Sequence, residues 1–105
     1  MSFEVNWRQL FSRYITTKRF QKIVSIHGIK ILLSPTSKGF YPLHWQTILG
    51  RDDLVELILT AGVPVYLKIR NRVGCEAIHL AAVEARKSVI DVLLKHGADV
   101  NAKDK

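Results

Sequence analysis

The sequence contains an internal repeat: residues 74–101 align without a gap on residues 39–66. The glycines and the histidine of the two copies coincide at a constant offset of 35 residues: Gly39 with Gly74, His44 with His79, and Gly62 with Gly97. Apolar positions also coincide, at Leu54, Val55, Ile58 and Leu59 in the first copy and at Val89, Ile90, Leu93 and Leu94 in the second. A repeat of this period predicts a stacked array of small units, each burying its apolar side against its neighbours.

The residue types within the second copy predict two helices joined by a break. Residues 78–83 form a short apolar segment whose small alanines let another helix approach closely. After a break at residues 85–87, apolar residues at 89, 92 and 93 follow the i, i+3, i+4 spacing of a buried helical face. Gly97 stands where a residue in the left-handed conformation would end that helix. Each unit is therefore predicted to be a helix, a turn, a helix and a loop.

These motifs resemble the ankyrin repeat family. The second copy reads IHLAA at residues 78–82 and closes with GADVN at residues 97–101, and the first copy keeps PLH at residues 42–44. The resemblance implies an all-α fold, an ankyrin-type stack of helix-turn-helix repeats with extended finger loops. It also implies that His44 and His79 bond to the backbone of neighbouring loops.

The first copy departs from the family pattern in ways that predict a less regular unit. Tyr41 and Glu76 stand where the family has threonine, so the hydroxyl that would cap the first helix is lost in both copies. Gln46 and Thr47 replace a pair of alanines. Asp52 or Asp53 is expected to cap the second helix of this copy.

Three units follow from this alignment. Residues 1–38 are interpreted as a degenerate N-terminal capping repeat, 39–73 as an ankyrin-like repeat, and 74–105 as a second one that runs into the start of a further repeat. We therefore expect the chain to be a piece of a longer protein, either monomeric or weakly self-associating through its C-terminal face.

The N-terminal unit carries its own helical patterns. Within residues 5–16, four apolar or aromatic residues share one helical face and are expected in the core: Trp7, Leu10, Phe11 and Tyr14. Residues 18–28 resemble the second helix of a degenerate repeat. Phe20, Ile23 and Val24 have the spacing of a buried helical face, and Gly28 is expected to end the helix. The apolar run at residues 29–33 is interpreted as a short extended finger.

The net charge of +7 is concentrated in the N-terminal unit. Residues 1–38 carry seven basic residues against Glu4 alone, whereas residues 39–105 sum to +1. We interpret this basic segment as a solvated cap, the alternative being a surface for nucleic acid, an anionic membrane or an acidic protein. Residues 66–73 alternate, so an extended chain places Lys68, Arg70 and Arg72 on one side and Leu67, Ile69 and Val73 on the other.

The sequence argues against several functional classes. Residues 1–22 contain no long apolar run followed by small residues, and no apolar stretch reaches membrane-spanning length, so we expect neither secretion nor membrane insertion. The single cysteine, Cys75, fits a cytoplasmic or nuclear location. His44 and His79 lie in adjacent units too far apart to share a zinc ion. Cys75 and His79 have the spacing of a nucleophile and a base, but nothing in the sequence orients the histidine. We expect neither an enzyme nor a bound cofactor or metal.

The resemblance implies a protein-protein interaction scaffold that binds another protein, acidic or not, through the concave face and the finger loops. The residues that match the family's partner-binding positions, together with the basic finger residues, are Lys38, Phe40, Ile48, Leu49, Lys68, Arg70, Arg72, Val73, Cys75, Val83, Glu84 and His96, with Ser37 beside them. The alternatives are polyanion binding through the basic segment, or a targeting module of a larger enzyme or ubiquitin-ligase adaptor.

Overall fold

The computed structural model describes residues 3–70 and 74–101. Its α-helices in that part of the chain are α1 (Phe3–Gln9), α2 (Thr17–His27), α3 (Pro42–Ile48), α4 (Asp52–Thr60), α5 (Ala77–Val83) and α6 (Lys87–Lys95), and a 3-10 helix spans Ile29–Leu33. The described residues contain a single antiparallel β-bridge, between Lys68 and Glu76, and no β-strand. None of these helices is both long and apolar enough to cross a membrane.

The helices pair into hairpins and form two layers, one of first helices and one of second helices. α3 packs on α4 and α5 packs on α6 within the hairpins, while α3 lies against α5 and α4 against α6 between them. α2 extends the layer of second helices by packing on α4. Between the layers lies a core of fully buried side chains, among them Leu43, Leu54, Ile58, Val89 and Leu93. The predicted helix-turn-helix stack is therefore confirmed.

The N-terminal helix ends earlier than its apolar spacing predicts. α1 stops at Gln9, and turns carry the chain from there to α2. Leu10 is fully buried, and Trp7 and Phe11 pack against the core, but Tyr14 is 86% exposed. The expectation that Tyr14 lies in the core is wrong, because the helix that would turn its side chain inward has already ended.

The run at residues 29–33 is not an extended finger. Gly28 has a φ of 75°, which ends α2, and a five-residue 3-10 helix follows it directly. In that helix the adjacent side chains of Ile31 and Leu32 are both fully buried. An extended strand would point these neighbours to opposite sides, so the helical turn buries more apolar surface. The expected burial of Phe20 and Ile23 on α2 is confirmed, and Val24 is half-buried.

α4 and α6 have arginines at their N-caps, and neither aspartate expected to cap α4 does so. Arg51 is the N-cap of α4, and Asp52 and Asp53 lie in its first turn, where their charge still meets the positive helix end favourably. The guanidinium of Arg51 donates to the carbonyls of Arg13 and Ile15, each at 2.9 Å. Arg86 is the N-cap of α6 and donates in the same way to the Ile48 carbonyl at 2.9 Å. This inter-unit contact recurs at the 35-residue offset of the sequence repeat.

Buried polar side chains replace the alanines at the end of α3. Gln46 is fully buried, and its amide nitrogen donates to the Leu10 carbonyl at 2.8 Å and to the Ser12 carbonyl at 3.2 Å. Thr47, also fully buried, donates its hydroxyl to the Leu43 carbonyl at 2.7 Å. The glutamine that departs from the family pattern therefore connects α3 to the N-terminal turn.

Candidate partner-binding surface

The first helices leave a row of apolar side chains outside the core. We call the exposed side of α3 and α5 the first-helix face; it comprises Trp45, Ile48, Leu49, Val83 and Glu84. Val83 is 79% exposed and Trp45 is 37% exposed, while Ile48 and Leu49 are half-buried. Because α3 packs beside α5, these residues form one surface across the two units.

An aromatic pair stands at the start of α3. The rings of Phe40 and Trp45 meet edge to face, with centroids 5.9 Å apart and planes at 87°. Both rings line an open groove of about 580 Å³ together with Phe11, Thr36, Ser37 and Lys38. The predicted contact residues Ser37, Lys38 and Phe40 therefore lie together at the N-terminal end of the first-helix face.

We call residues 66–73 the finger. Its described part, residues 66–70, has the predicted alternation. Ile69 is buried and Leu67 is half-buried, whereas Lys68 and Arg70 are exposed. The Ile69 amide donates to the Cys75 carbonyl at 2.9 Å, and the Arg70 amide donates to the Gly39 carbonyl at 2.9 Å. Two further predicted contact residues, Arg72 and Val73, lie outside the described residues.

Gly39 permits the finger to lie against the loop that precedes α3. Its φ is 86°, a value that side-chain-bearing residues rarely adopt. A Cβ at this position would overlap the carbonyl group of Arg70. The glycine that opens the unit therefore places Arg70 beside Ser37, with which it lines a small hollow.

His44 is a structural residue. It is fully buried, its Nδ1 accepts from the Tyr41 amide at 3.2 Å, and its Nε2 lies 2.8 Å from the Leu67 carbonyl oxygen. An amide can only donate, so Nδ1 is the acceptor and Nε2 carries the proton that the carbonyl accepts. Burial lowers the pKa of His44 to about 4, against the opposing effect of the Leu67 hydrogen bond. The role implied for this histidine is therefore present in the structure.

His79 repeats the first of these contacts, since its Nδ1 accepts from the Glu76 amide at 2.9 Å. Glu76 and Tyr41 are the N-caps of α5 and α3, so in both units the ring of the histidine at the third helical position accepts from the backbone amide of the N-cap residue. Among the described residues, no group of three or more histidine, cysteine or acidic side chains is placed to hold a metal ion.

The remaining predicted contact residues do not all share the first-helix face. Cys75 is half-buried between the finger and α5, and Glu84 is exposed directly after α5. His96 lies in the other layer, where its Nε2 bonds to the carboxylate of Glu56 on α4. Lys95 pairs with the same carboxylate at 2.9 Å, and these two contacts hold the pKa of Glu56 below its usual range.

The sequence did not indicate Phe11, Thr36 or Trp45 as surface residues. The helical spacing predicts Phe11 in the core, and the groove forms because the N-terminal turn brings this residue beside Trp45, far along the chain. The sequence does contain a signal that Trp45 lies on the first-helix face, because its spacing from Ile48 and Leu49 puts the three residues on one side of a helix. Trp45 also aligns with Leu80 of the next unit.

Comparison with known proteins supports the architecture. A family model described as ankyrin repeats, in three copies, matches residues 19–104. The chain is also similar to the NF-kappa-B inhibitor cactus of Drosophila yakuba and of Drosophila melanogaster, each 38% identical over 55 residues. That match covers 52% of this chain and 11% of each relative. With the family model spanning most of its length, the chain belongs to the ankyrin repeat family.

Proposed function

We propose that this chain is a protein-binding module whose first-helix face and finger contact the partner. Ankyrin repeats generally mediate interactions between proteins. The observation that carries the proposal is the apolar row formed by Ile48, Leu49 and Val83, which the core does not use. Grouped apolar side chains outside a core are typical of interaction sites.

The exposed cations of the finger give the proposed surface a charged edge. Lys68 and Arg70 are exposed. Lys68 is bridged to Glu76 at the start of α5, the Arg70 amide bonds to the Gly39 carbonyl before α3, and Arg72 follows them in the sequence. Charges at the rim of an interface act mainly on the association rate and on its salt dependence, whereas apolar groups at its centre carry most of the affinity. An acidic patch on the partner would complement this edge.

The relatives suggest a first partner to test. Both are named NF-kappa-B inhibitors, and this chain spans about a tenth of their length. An NF-kappa-B protein is therefore the first candidate partner for this chain. The matched segment of 55 residues is shorter than two complete 35-residue units. The proposal of this particular partner therefore rests on less support than the proposal that the chain binds a protein.

A second candidate function is polyanion binding through the basic N-terminal unit. It is favoured by the net charge of +6 on residues 1–38. Binding of this kind weakens steeply as salt concentration rises, because it releases counterions from the polyanion. Titrations of labelled DNA at increasing salt compare Lys22→Glu, in the basic unit, with Val83→Arg, on the first-helix face. Polyanion binding predicts that Lys22→Glu weakens DNA binding and that Val83→Arg does not.

Site-specific photo-crosslinking tests the proposed function. A photoreactive residue replaces Leu49 or Val83 on the first-helix face, or Ile26 on α2 as the control. Ile26 is 62% exposed in the layer of second helices. We expect the first two positions to crosslink one protein saturably, either purified NF-kappa-B protein or a partner identified by mass spectrometry from extract.

The control defines failure. If the Ile26 position crosslinks the same protein as efficiently as Leu49 and Val83, the first-helix face is not the binding surface. If purified NF-kappa-B protein fails to crosslink while another protein does so at Leu49 and Val83, the partner suggested by the relatives is wrong and the protein-binding function stands.

A further inference from the structure

The groove at the N-terminal end of the first-helix face has the chemistry of a side-chain socket. Its lining combines three aromatic rings, Phe11, Phe40 and Trp45, with the turn at Thr36, Ser37 and Lys38. We infer that this groove holds one large apolar side chain of a partner protein, carried in an acidic segment. This inference rests on the proposed protein-binding function and names the class of partner.

The walls of the groove are fixed before any partner arrives. The Thr36 amide donates to the Phe40 carbonyl at 2.8 Å, and the Phe40 amide donates to the Thr36 hydroxyl at 3.1 Å. On the opposite wall, Phe11 meets Trp7 edge to face at 5.0 Å, and the Trp7 indole donates to the Ser34 carbonyl at 2.6 Å. A preformed socket loses little conformational entropy on binding, which favours the insertion of a side chain.

The aromatic lining selects an apolar occupant. Phe40 is half-buried and Trp45 is 37% exposed, so both rings still present apolar surface to solvent. Covering that surface with an apolar side chain removes it from water, which favours binding. Aromatic side chains in pockets are also the residues that most often dominate binding energy.

The charges around the groove select an acidic segment. Lys38 is exposed on its rim, and on the far side of the same turn Arg70 lines a hollow of about 230 Å³ with Pro35, Thr36, Ser37 and Gly39. Among the described residues, Lys38 lines the groove and Arg70 lines the hollow, and neither lining includes an acidic side chain. A carboxylate on each side of the inserted residue would therefore meet a cation.

Labelled peptides test the inference on the whole chain. The probe is a fluorescein-labelled peptide with one phenylalanine among glutamates and serines, and its binding is followed by fluorescence anisotropy. Two comparison peptides replace the phenylalanine by alanine or the glutamates by lysines. We expect the alanine peptide to bind at least about tenfold more weakly and the lysine peptide not to bind.

Variants of the chain locate the binding. Trp45→Ala removes one wall, and Lys38→Glu reverses the rim charge without touching the core. Lys22→Glu is the matched control, because it makes the same charge change at an exposed position of α2. We expect the first two variants to weaken binding of the phenylalanine peptide by at least about tenfold, and the control to weaken it by less than about threefold.

Three results would overturn the inference: equal binding of the phenylalanine and alanine peptides, equal losses in Lys22→Glu and Lys38→Glu, or no binding of any acidic peptide. The second of these would indicate a diffuse attraction to the basic segment. A parallel measurement with the crosslinked partner separates this inference from the proposed function. If Val83→Arg abolishes partner binding while Trp45→Ala and Lys38→Glu do not, the socket fails and the binding surface stands.

Discussion

At the scale of single residues, the fold holds His44 in its neutral form. Its Nδ1 accepts from the Tyr41 amide, so a second proton on the ring would break that bond as well as place a charge in the core. Because the folded pKa of about 4 lies below the ordinary value of 6.5, the unfolded chain takes up the proton first. Stability is therefore retained above pH 6.5 and lost as the pH falls toward 4.

This linkage gives the first prediction. Between pH 7.5 and pH 4.5, His44 should reduce the free energy of unfolding by about 2 to 3 kcal/mol. His44→Gln should be less stable than the wild type at pH 7.5 but should lose less between the two pH values, as measured by urea denaturation. An unchanged pH dependence in His44→Gln would show that this residue is not the linked group.

The break between the two helices of each unit gives a second residue-scale prediction. Gly50 has a φ of 76°, and Ala85, at the equivalent position of the next unit, has a φ of 54°. An alanine is strained in this region, so Ala85→Gly should stabilise the protein by about 0.5 to 1 kcal/mol. Gly50→Ala should destabilise it by about 1 to 2 kcal/mol, since the new Cβ also approaches the Arg86 side chain at 3.1 Å.

Thermal unfolding of the two variants beside the wild type is the measurement. The repeat makes the pair a reciprocal control, because each substitution places in one unit the residue that the other unit already has. Changes of the same sign in both variants would contradict the argument from backbone strain.

At the scale of elements, Arg51 ties the N-terminal turn to α4. Its guanidinium donates to the Arg13 and Ile15 carbonyls and also to the Asp53 carboxylate. A lysine cannot hold these groups together, because its ammonium lacks the planar fork of donors. Arg51→Lys should therefore lower the free energy of unfolding by about 1 to 2 kcal/mol.

The control is Asp53→Asn, which weakens the exposed ion pair and leaves the two carbonyl contacts. We expect a loss below about 1 kcal/mol in this variant. Hydrogen exchange of the amides at residues 10–15 should increase in Arg51→Lys more than in Asp53→Asn. Equal effects would assign the stabilisation to the ion pair instead of to the link between the units.

The elements differ in how far the sequence could predict them. α2, α4 and α6 follow the i, i+3, i+4 spacing, and the repeat fixes the equivalence of α3 and α5. The run at residues 29–33 is apolar throughout, so it carries no periodicity that separates a helical turn from a strand. The groove could not be predicted from the sequence, because it depends on the position of Phe11 relative to Trp45, which tertiary packing determines.

At the scale of the whole molecule, the described residues form an elongated body with extents of 40 × 27 × 21 Å. The first-helix face runs across α3 and α5, and the layer of second helices covers the opposite side of the core. A partner that binds one layer therefore leaves exposed residues of the other, such as Ile26, unaffected. This separation makes a comparison between the two layers decisive.

The most direct test is the dissociation constant of the crosslinked partner for Val83→Arg beside Ile26→Arg. Both residues are largely exposed, at 79% and 62%, so both variants should keep the melting temperature of the wild type within a few degrees. We predict that Val83→Arg weakens binding by at least about tenfold, whereas Ile26→Arg leaves it unchanged. Equal affinities of the two variants, or a loss confined to Ile26→Arg, would contradict binding through the first-helix face.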